Sequence, residues 1–249
     1  WLTVETRLRR PWQRRTRPWT VVDVAPEPGG ATTLRLRPDG HPRLAFVPGQ
    51  FAWVTLGDSP WRMQQHPFSM TSPADQAEIW FTIKPAGDFT GGIASTRIGS
   101  RAWIEGPYGV FTWQPGFAPH GAVFVAGGVG ITPFLSMLRN ARARRGQDRL
   151  WLFYANSDAD SIIAREELDA LARELPLRVV HVLDDPPDGW TGEAGHIDAD
   201  MLERHLPAEV GTMLAYVCGP APMADAVEPV LLERGIPAKN LYSERFDMV

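Results

Sequence analysis

Between an apolar run at residues 122–126 and a helical pattern beginning at Pro133 lie Gly127, Gly128, Val129, Gly130, Ile131 and Thr132. A buried strand thus passes through nearly bare backbone into a helix. Glycine allows a tight turn and the close approach of a diphosphate, Thr132 is placed to cap the helix, and Pro133 suits its first turn. The amides of the helix N-terminus then face anionic oxygen. The spacing is not the usual dinucleotide fingerprint, because proline stands at 133 where that pattern needs glycine. The loop reads as a nucleotide loop of another kind, with a turn kept only for packing as the plain alternative. Cys218-Gly219-Pro220-Ala221-Pro222-Met223 repeats the arrangement at a second strand end that opens a helix.

The elements that must position these loops fall into two halves. From Thr20 to Glu105 the segments are short, rich in Val, Thr, Trp and Phe, and broken by Pro and Gly. Strands are expected at 20–24, 32–36, 50–56, 68–71, 79–84 and 102–104, with a short helical pattern near Gly92 to Arg97. Six such strands fit a small antiparallel Greek-key barrel better than a sandwich. From Gly121 onward strands near 122–126, 149–154, 178–183, 213–218 and 240–244 alternate with helices. Phe134, Leu135, Leu138 and Ala141 share a face of the first helix, and Ile162, Ile163, Leu168 and Leu171 mark the second. The expectation is a doubly wound, five-stranded parallel sheet covered on both sides, whose ligands lie off the carboxyl strand ends where the strand order reverses. The domains are read as a basic arm at 1–17, a β-barrel at 18–113 and an α/β unit at 120–249, with a linker over 112–119 marked by Pro115, Gly116 and Pro119.

Composition excludes several functions. A net charge of −4 argues against nucleic acid as the main partner, and one cysteine among 249 residues allows neither an internal disulfide nor an iron–sulfur cluster. No apolar run reaches membrane-spanning length. The first residues set Arg7, Arg9, Arg10, Arg14, Arg15 and Arg17 among Trp1, Trp12 and Trp19, which suits a membrane–water interface or a solvated basic arm. The first residue is Trp1, so a piece cut from a longer protein just after a membrane helix is expected.

In the β half, Pro48-Gly49-Gln50-Phe51 is followed by His66-Pro67-Phe68-Ser69, then by Lys84-Pro85-Ala86-Gly87-Asp88-Phe89-Thr90 and by Glu105-Gly106-Pro107-Tyr108-Gly109. With the two glycine loops, this order resembles the ferredoxin–NADP reductase superfamily. Within it, the chain is most similar to the ferric reductase and NADPH oxidase branch, whose flavin motif is His-Pro-Phe-Ser/Thr. The resemblance runs from about Pro18 to Phe246. It implies FAD bound across the barrel by His66, Pro67, Phe68, Ser69, Ile83, Lys84, Gly87, Phe89, Thr90 and Phe246. NADPH or NADH would lie on Gly127, Gly128, Gly130, Ile131, Thr132, Pro133, Asn156, Ser157, Arg165, Cys218, Gly219, Pro220 and Met223. No metal is implied. Ser69, Thr90, Gly91 and Gly92 can supply the donors a flavin needs.

The resemblance further implies that Ser69, Cys218 and Glu244 hold the nicotinamide against the flavin while Phe246 covers the ring. For Cys218 the alternative is a buried small hydrophobe, and for His66 a hydrogen-bonded turn residue. Many relatives carry arginine at the position of His66, where it faces phosphate. Coenzyme choice stays open: Ser157 can bond a 2′-phosphate, Asp158 would repel one, and Arg165 either reaches it or pairs with Asp169. The implied activity is hydride transfer from NAD(P)H to FAD, followed by single-electron release. The expected acceptor is haem in an N-terminal membrane domain of the same parent, a ferric reductase or NADPH oxidase, with this unit at the cytoplasmic face. A soluble reductase serving a ferredoxin or oxygenase, and a non-catalytic flavin or nucleotide sensor, are the alternatives.

Overall fold

The computed structural model describes residues 15–57, 59–61, 64–116 and 120–246. The arginines and tryptophans before Arg15 lie outside them, as do Asp247, Met248 and Val249 after Phe246. Trp19, read above as part of an interfacial arm, is instead a barrel core residue, 3% exposed and set edge-on against His41 at 5.2 Å. It opens the first strand, so its indole is used for packing.

The N-terminal half contains β1 (Trp19–Pro26), β2 (Thr32–Pro38), β3 (Phe51–Leu56), β4 (His66–Ser69), β5 (Ile79–Ile83) and β6 (Arg101–Tyr108). They pair in the order β4-β3-β6-β1-β2-β5. A bridge between Met70 and Phe81, with Thr71 N–H donating to the Trp80 carbonyl at 2.8 Å, joins the outer strands and closes the barrel. The alternation of apolar and polar residues buries Val21, Leu34, Leu36, Val54, Phe81 and Ile83 inside it. The short helix α1 (Asp88–Gly91) begins ahead of the Gly92–Arg97 pattern. Gly91 and Gly92 amides donate back to the Gly87 and Asp88 carbonyls, so these two donors close the helical turn.

The C-terminal half is a parallel sheet with helices on both faces, and it has six strands where five were expected. They are β7 (Ala122–Gly127), β8 (Leu150–Asn156), β9 (Leu177–Leu183), β10 (Glu193–Ala194), β11 (Leu214–Pro220) and β12 (Leu241–Phe246). The extra strand, β10, is a two-residue pairing beside β9, too short to carry a periodic signal. The helices are α2 (Thr132–Ala143), α3 (Arg165–Glu174), α4 (Ala199–His205) and α5 (Ala221–Glu233). Thr132 is already helical, at φ −58° and ψ −46°, and its side chain caps nothing. Ile162 and Ile163 are buried but precede α3, because Ala164 takes a left-handed φ of 57° immediately before it.

The segment read as a linker is anchored in the core at Trp113. Trp113 is 1% exposed and packs edge-on against Phe124 at 5.5 Å, and Thr112 accepts a 2.9 Å hydrogen bond from the Tyr216 hydroxyl. Strand order β10-β9-β8-β7-β11-β12 reverses at β7. The glycine loop after β7 and the Cys218 loop of β11 therefore meet over one crevice.

Candidate functional site

The two loops touch because their glycines leave room. A Cβ on Gly130 would lie 2.1 Å from the Cys218 carbonyl oxygen, and one on Gly219 would lie 2.4 Å from Met223 Cε. Gly128, at φ +53°, has nothing within 4 Å of where its Cβ would point. That bare backbone opens onto a cavity of about 290 Å³, lined by Gly127, Gly128, Asn156, Ser157, Pro220 and Met223. Asp184, His196 and Ser161, absent from the sequence reading, line it too. Asp184 directly follows β9, so it sits at a carboxyl strand end and the rule that singled out Gly127 applies to it as well. Its carboxylate is 2.9 Å from His196 Nδ1. Asp158 does other work: its carboxylate accepts the Ser161 amide at 2.8 Å. Arg165 sits over the Trp190 ring at 5.3 Å and is not among the cavity residues.

A larger cavity of about 570 Å³ lies between the two halves. The barrel contributes Pro67, Phe68, Ser69, Ile83, Lys84 and Thr90, and the α/β unit contributes Thr132, Cys218, Glu244 and Phe246. Phe51, Pro85, Ala86 and Val129, which sit inside motifs read from the sequence, also line it, as does Thr82, which no motif marked. Lys84 lines both cavities and so stands where they adjoin. Arg245 also lines the larger one, but its guanidinium is held by Asp225 at 2.6 Å and Glu228 at 2.8 Å.

Cys218 and Glu244 are register partners on adjacent parallel strands, which brings thiol and carboxyl to one wall. Cys218 is 4% exposed. Burial, and then the neighbouring Glu244, push its thiol pKa up, so it stays a neutral thiol. Burial also raises the Glu244 carboxyl above its ordinary value. Ser69 faces them from the end of β4. His66 is directed elsewhere: its ring stacks on Phe89 at 4.1 Å, and neither residue is among those lining the cavities. Gly87, Gly130, Ile131, Pro133 and Gly219 shape the loops from behind, also outside both linings. The Thr90 hydroxyl accepts the Ala86 amide at 2.7 Å and donates to the Gly87 carbonyl at 3.1 Å, which fixes the loop before α1.

The residues fit a flavin and a nicotinamide dinucleotide. The larger cavity combines apolar walls (Pro67, Phe68, Ile83, Phe246) with hydroxyl and carboxyl groups at one side, as a flat ring with a polar edge requires. The smaller one offers exposed backbone at a strand-to-helix turn, a setting suited to a diphosphate. No group of three His, Cys, Asp or Glu residues placed to hold a metal occurs among the described residues. None of their helices is long and apolar enough to cross a membrane.

A closed antiparallel barrel joined to a parallel nucleotide-binding sheet, with a cavity shared between them, defines a two-domain flavin and dinucleotide-binding protein. Residues 18–112 match the family described as FAD-binding domain, and residues 124–229 match the oxidoreductase NAD-binding domain. The chain belongs to the ferredoxin–NADP reductase superfamily, and its cofactors are FAD and NADH or NADPH.

Among its relatives, NADH-cytochrome b5 reductase 1 of Coccidioides immitis is 33% identical over 212 residues, covering 82% of this chain and 66% of that protein. The protein of the same name from Pyricularia oryzae is 35% identical over 188 residues, covering 72% of this chain and 60% of its own. The chain thus spans about three-fifths to two-thirds of the length of these curated relatives. In fold it is similar to the cytochrome b5 reductase domain of Ulva prolifera nitrate reductase, with a TM-score of 0.80, 21% identity and coverage of 93% and 98% of the two chains. The FAD/NAD-binding domain of a Vibrio cholerae nitric oxide dioxygenase gives a TM-score of 0.81 at 20% identity, with the same coverage.

Proposed function

We propose that this chain is the electron-transfer module of an NADH-dependent flavin oxidoreductase that delivers electrons to a haem acceptor. The observation that carries the reading is the convergence of Ser69, Cys218, Glu244 and Phe246 on one cavity from opposite halves of the chain. When bound, FAD supplies a group that takes two electrons as hydride and returns them one at a time. Ser69 would hold the polar edge of the flavin ring as a hydrogen-bond donor. Cys218, neutral and fixed on its strand, holds the nicotinamide against that ring, a positioning role. Glu244, whose buried carboxyl keeps its proton to higher pH than an exposed one, buffers charge beside the reacting atoms. Phe246, on the wall of the same cavity, would cover the ring and have to give way to the nicotinamide.

NADH is the coenzyme this reading assigns. Asp184 brings a carboxylate to the smaller cavity, where it would accept a hydrogen bond from a free ribose hydroxyl and repel a 2′-phosphate. Two fungal relatives are named for NADH and cytochrome b5, which supports both the coenzyme and a haem acceptor. A second reading keeps the haem in a membrane domain of the same parent, a ferric reductase or NADPH oxidase, with this module at the cytoplasmic face. The His66-Pro67-Phe68-Ser69 motif and the arginines of the first residues favour it.

Anaerobic titration of the FAD-loaded protein tests the proposal. NADH is expected to bleach the oxidised flavin absorbance at lower concentration than NADPH, and added cytochrome b5 to restore it. Persistence of the absorbance with both coenzymes overturns the enzyme reading. Bleaching by NADPH alone overturns the coenzyme assignment, and bleaching that cytochrome b5 does not reverse points to the membrane-haem alternative.

A further inference from the structure

The larger cavity exists only while the barrel and the α/β unit hold one orientation, and the contacts that hold it lie outside the cavity. Arg139 on α2 is 8% exposed, and its guanidinium is used on three sides. Nη1 donates to the Thr71 carbonyl of the barrel at 2.6 Å. Nε and Nη2 grip both oxygens of Glu167 on α3, at 2.9 and 2.6 Å. The flat face lies 5.2 Å from the Trp80 ring of β5, against which Arg35 of β2 also packs at 4.4 Å. One turn earlier on α2, the Ser136 hydroxyl donates to the Ser72 carbonyl at 2.7 Å.

The chain positions of these groups connect them to the site. Thr71 lies two residues after Ser69, on the segment that closes the barrel. Helix α2 begins at Thr132, which lines the same cavity from the other side. Thr71 and Ser72 are both fully buried, so moving α2 away would strand two carbonyls without partners. Glu167 is suited to the task. Burial alone would raise its carboxyl, but the hydrogen bonds and charge of Arg139, with Arg142 and Arg35, bring it below its usual value and keep it ionised.

We infer that the Arg139–Glu167 pair is a positioning clamp. By locking α2 onto Thr71 and Ser72, it sets the separation between Ser69 on the flavin side and Cys218 and Glu244 on the coenzyme side. The inference rests on the function proposed above for the cavity. Neither residue touches the reacting groups. A bidentate guanidinium is needed because a lysine ammonium, a single compact charge, cannot bond Thr71 and both Glu167 oxygens in one plane.

The test uses the FAD-loaded chain with Arg139→Lys and Glu167→Gln, both conservative in size. Flavin content and NAD⁺ affinity are expected to stay within about twofold, because the variants leave both cavity linings unchanged. Flavin reduction at saturating NADH is expected to slow roughly 10- to 100-fold. Hydrogen–deuterium exchange should rise at residues 70–73 and 132–140 and stay unchanged in β9. The double variant should be no slower than either single one. An unchanged reduction rate, or a slow rate explained by weaker coenzyme binding alone, overturns the clamp. So does exchange that is unaltered, or that rises throughout the chain. If the parent protein is not reduced by either coenzyme, the functional reading fails, while the exchange comparison still decides whether the pair locks the two halves.

Discussion

The two cavities of the crevice are built differently. The smaller is framed by carboxyl ends of one parallel sheet: β7 supplies Gly127, β8 Asn156, β9 leads into Asp184, and β11 supplies Pro220. Hydrogen-bonded register fixes their spacing, so the nucleotide end of the site follows from the sheet itself. The larger cavity has no such frame. Ser69 and Glu244, separated by most of the chain, face one volume because the α/β unit docks on the barrel, through α2 and through the Tyr216–Thr112 contact. On the proposed function, coenzyme binding falls to a rigid scaffold and reaction geometry to an interface. Changes within the sheet should affect coenzyme binding, whereas changes at the shared wall should affect rate.

The largest expected effect comes from breaking the sheet-built cavity at Gly130. Its Cβ would lie 2.1 Å from the Cys218 carbonyl oxygen and 3.2 Å from Gly219 Cα, both rigid backbone. Gly130→Ala is expected to cost about 3 kcal/mol or more and to abolish coenzyme binding, as followed by urea unfolding and NAD⁺ titration. Gly128→Ala meets no atom within 4 Å and bears only its left-handed φ of +53°, so it should cost about 1–2 kcal/mol. Equal losses for the two would show that the loops do not need their close approach.

An intermediate effect is expected at the shared wall. Cys218→Ala removes a buried thiol from the larger cavity without touching the barrel. Stopped-flow flavin reduction should slow about tenfold, equivalent to ~1.4 kcal/mol in the barrier, with FAD retention unchanged. A normal rate would return Cys218 to a packing role.

The smallest effect is the pH response of Glu244. Because burial raises its folded pKa, the folded chain holds a proton that the unfolded chain releases near pH ~4.3. Between that pH and the raised folded value, stability falls as pH rises. Glu244→Gln should flatten this part of the profile, read as urea midpoints at about half-unit pH steps. Glu167 has the opposite sign, its lowered pKa adding stability above the unfolded value that is lost in acid. A Glu244→Gln profile parallel to the parent's would mean that the carboxyl is as well solvated folded as unfolded.

Much of this arrangement was legible in residue order. Alternating strands in the first half, apolar strands between amphipathic helices in the second, and two glycine-rich strand ends define both sheets, because local periodicity reports which faces are buried. The family motifs also brought Ser69, Cys218, Glu244 and Phe246 under attention. What escaped were features without local pattern: the two-residue β10, the place of Asp184 rather than Asp158 in the lining of the smaller cavity, and the stacking of His66 on Phe89.

By itself, the sequence determined the two halves, the nucleotide loops and the flavin motif, since each rests on side chains close together along the chain. Only the tertiary structure decided which acid lines the smaller cavity, that Trp19 belongs to a core, and that Arg139 ties α2 to Thr71. These depend on contacts between residues far apart in the chain, where register and domain docking, rather than spacing, select the neighbour.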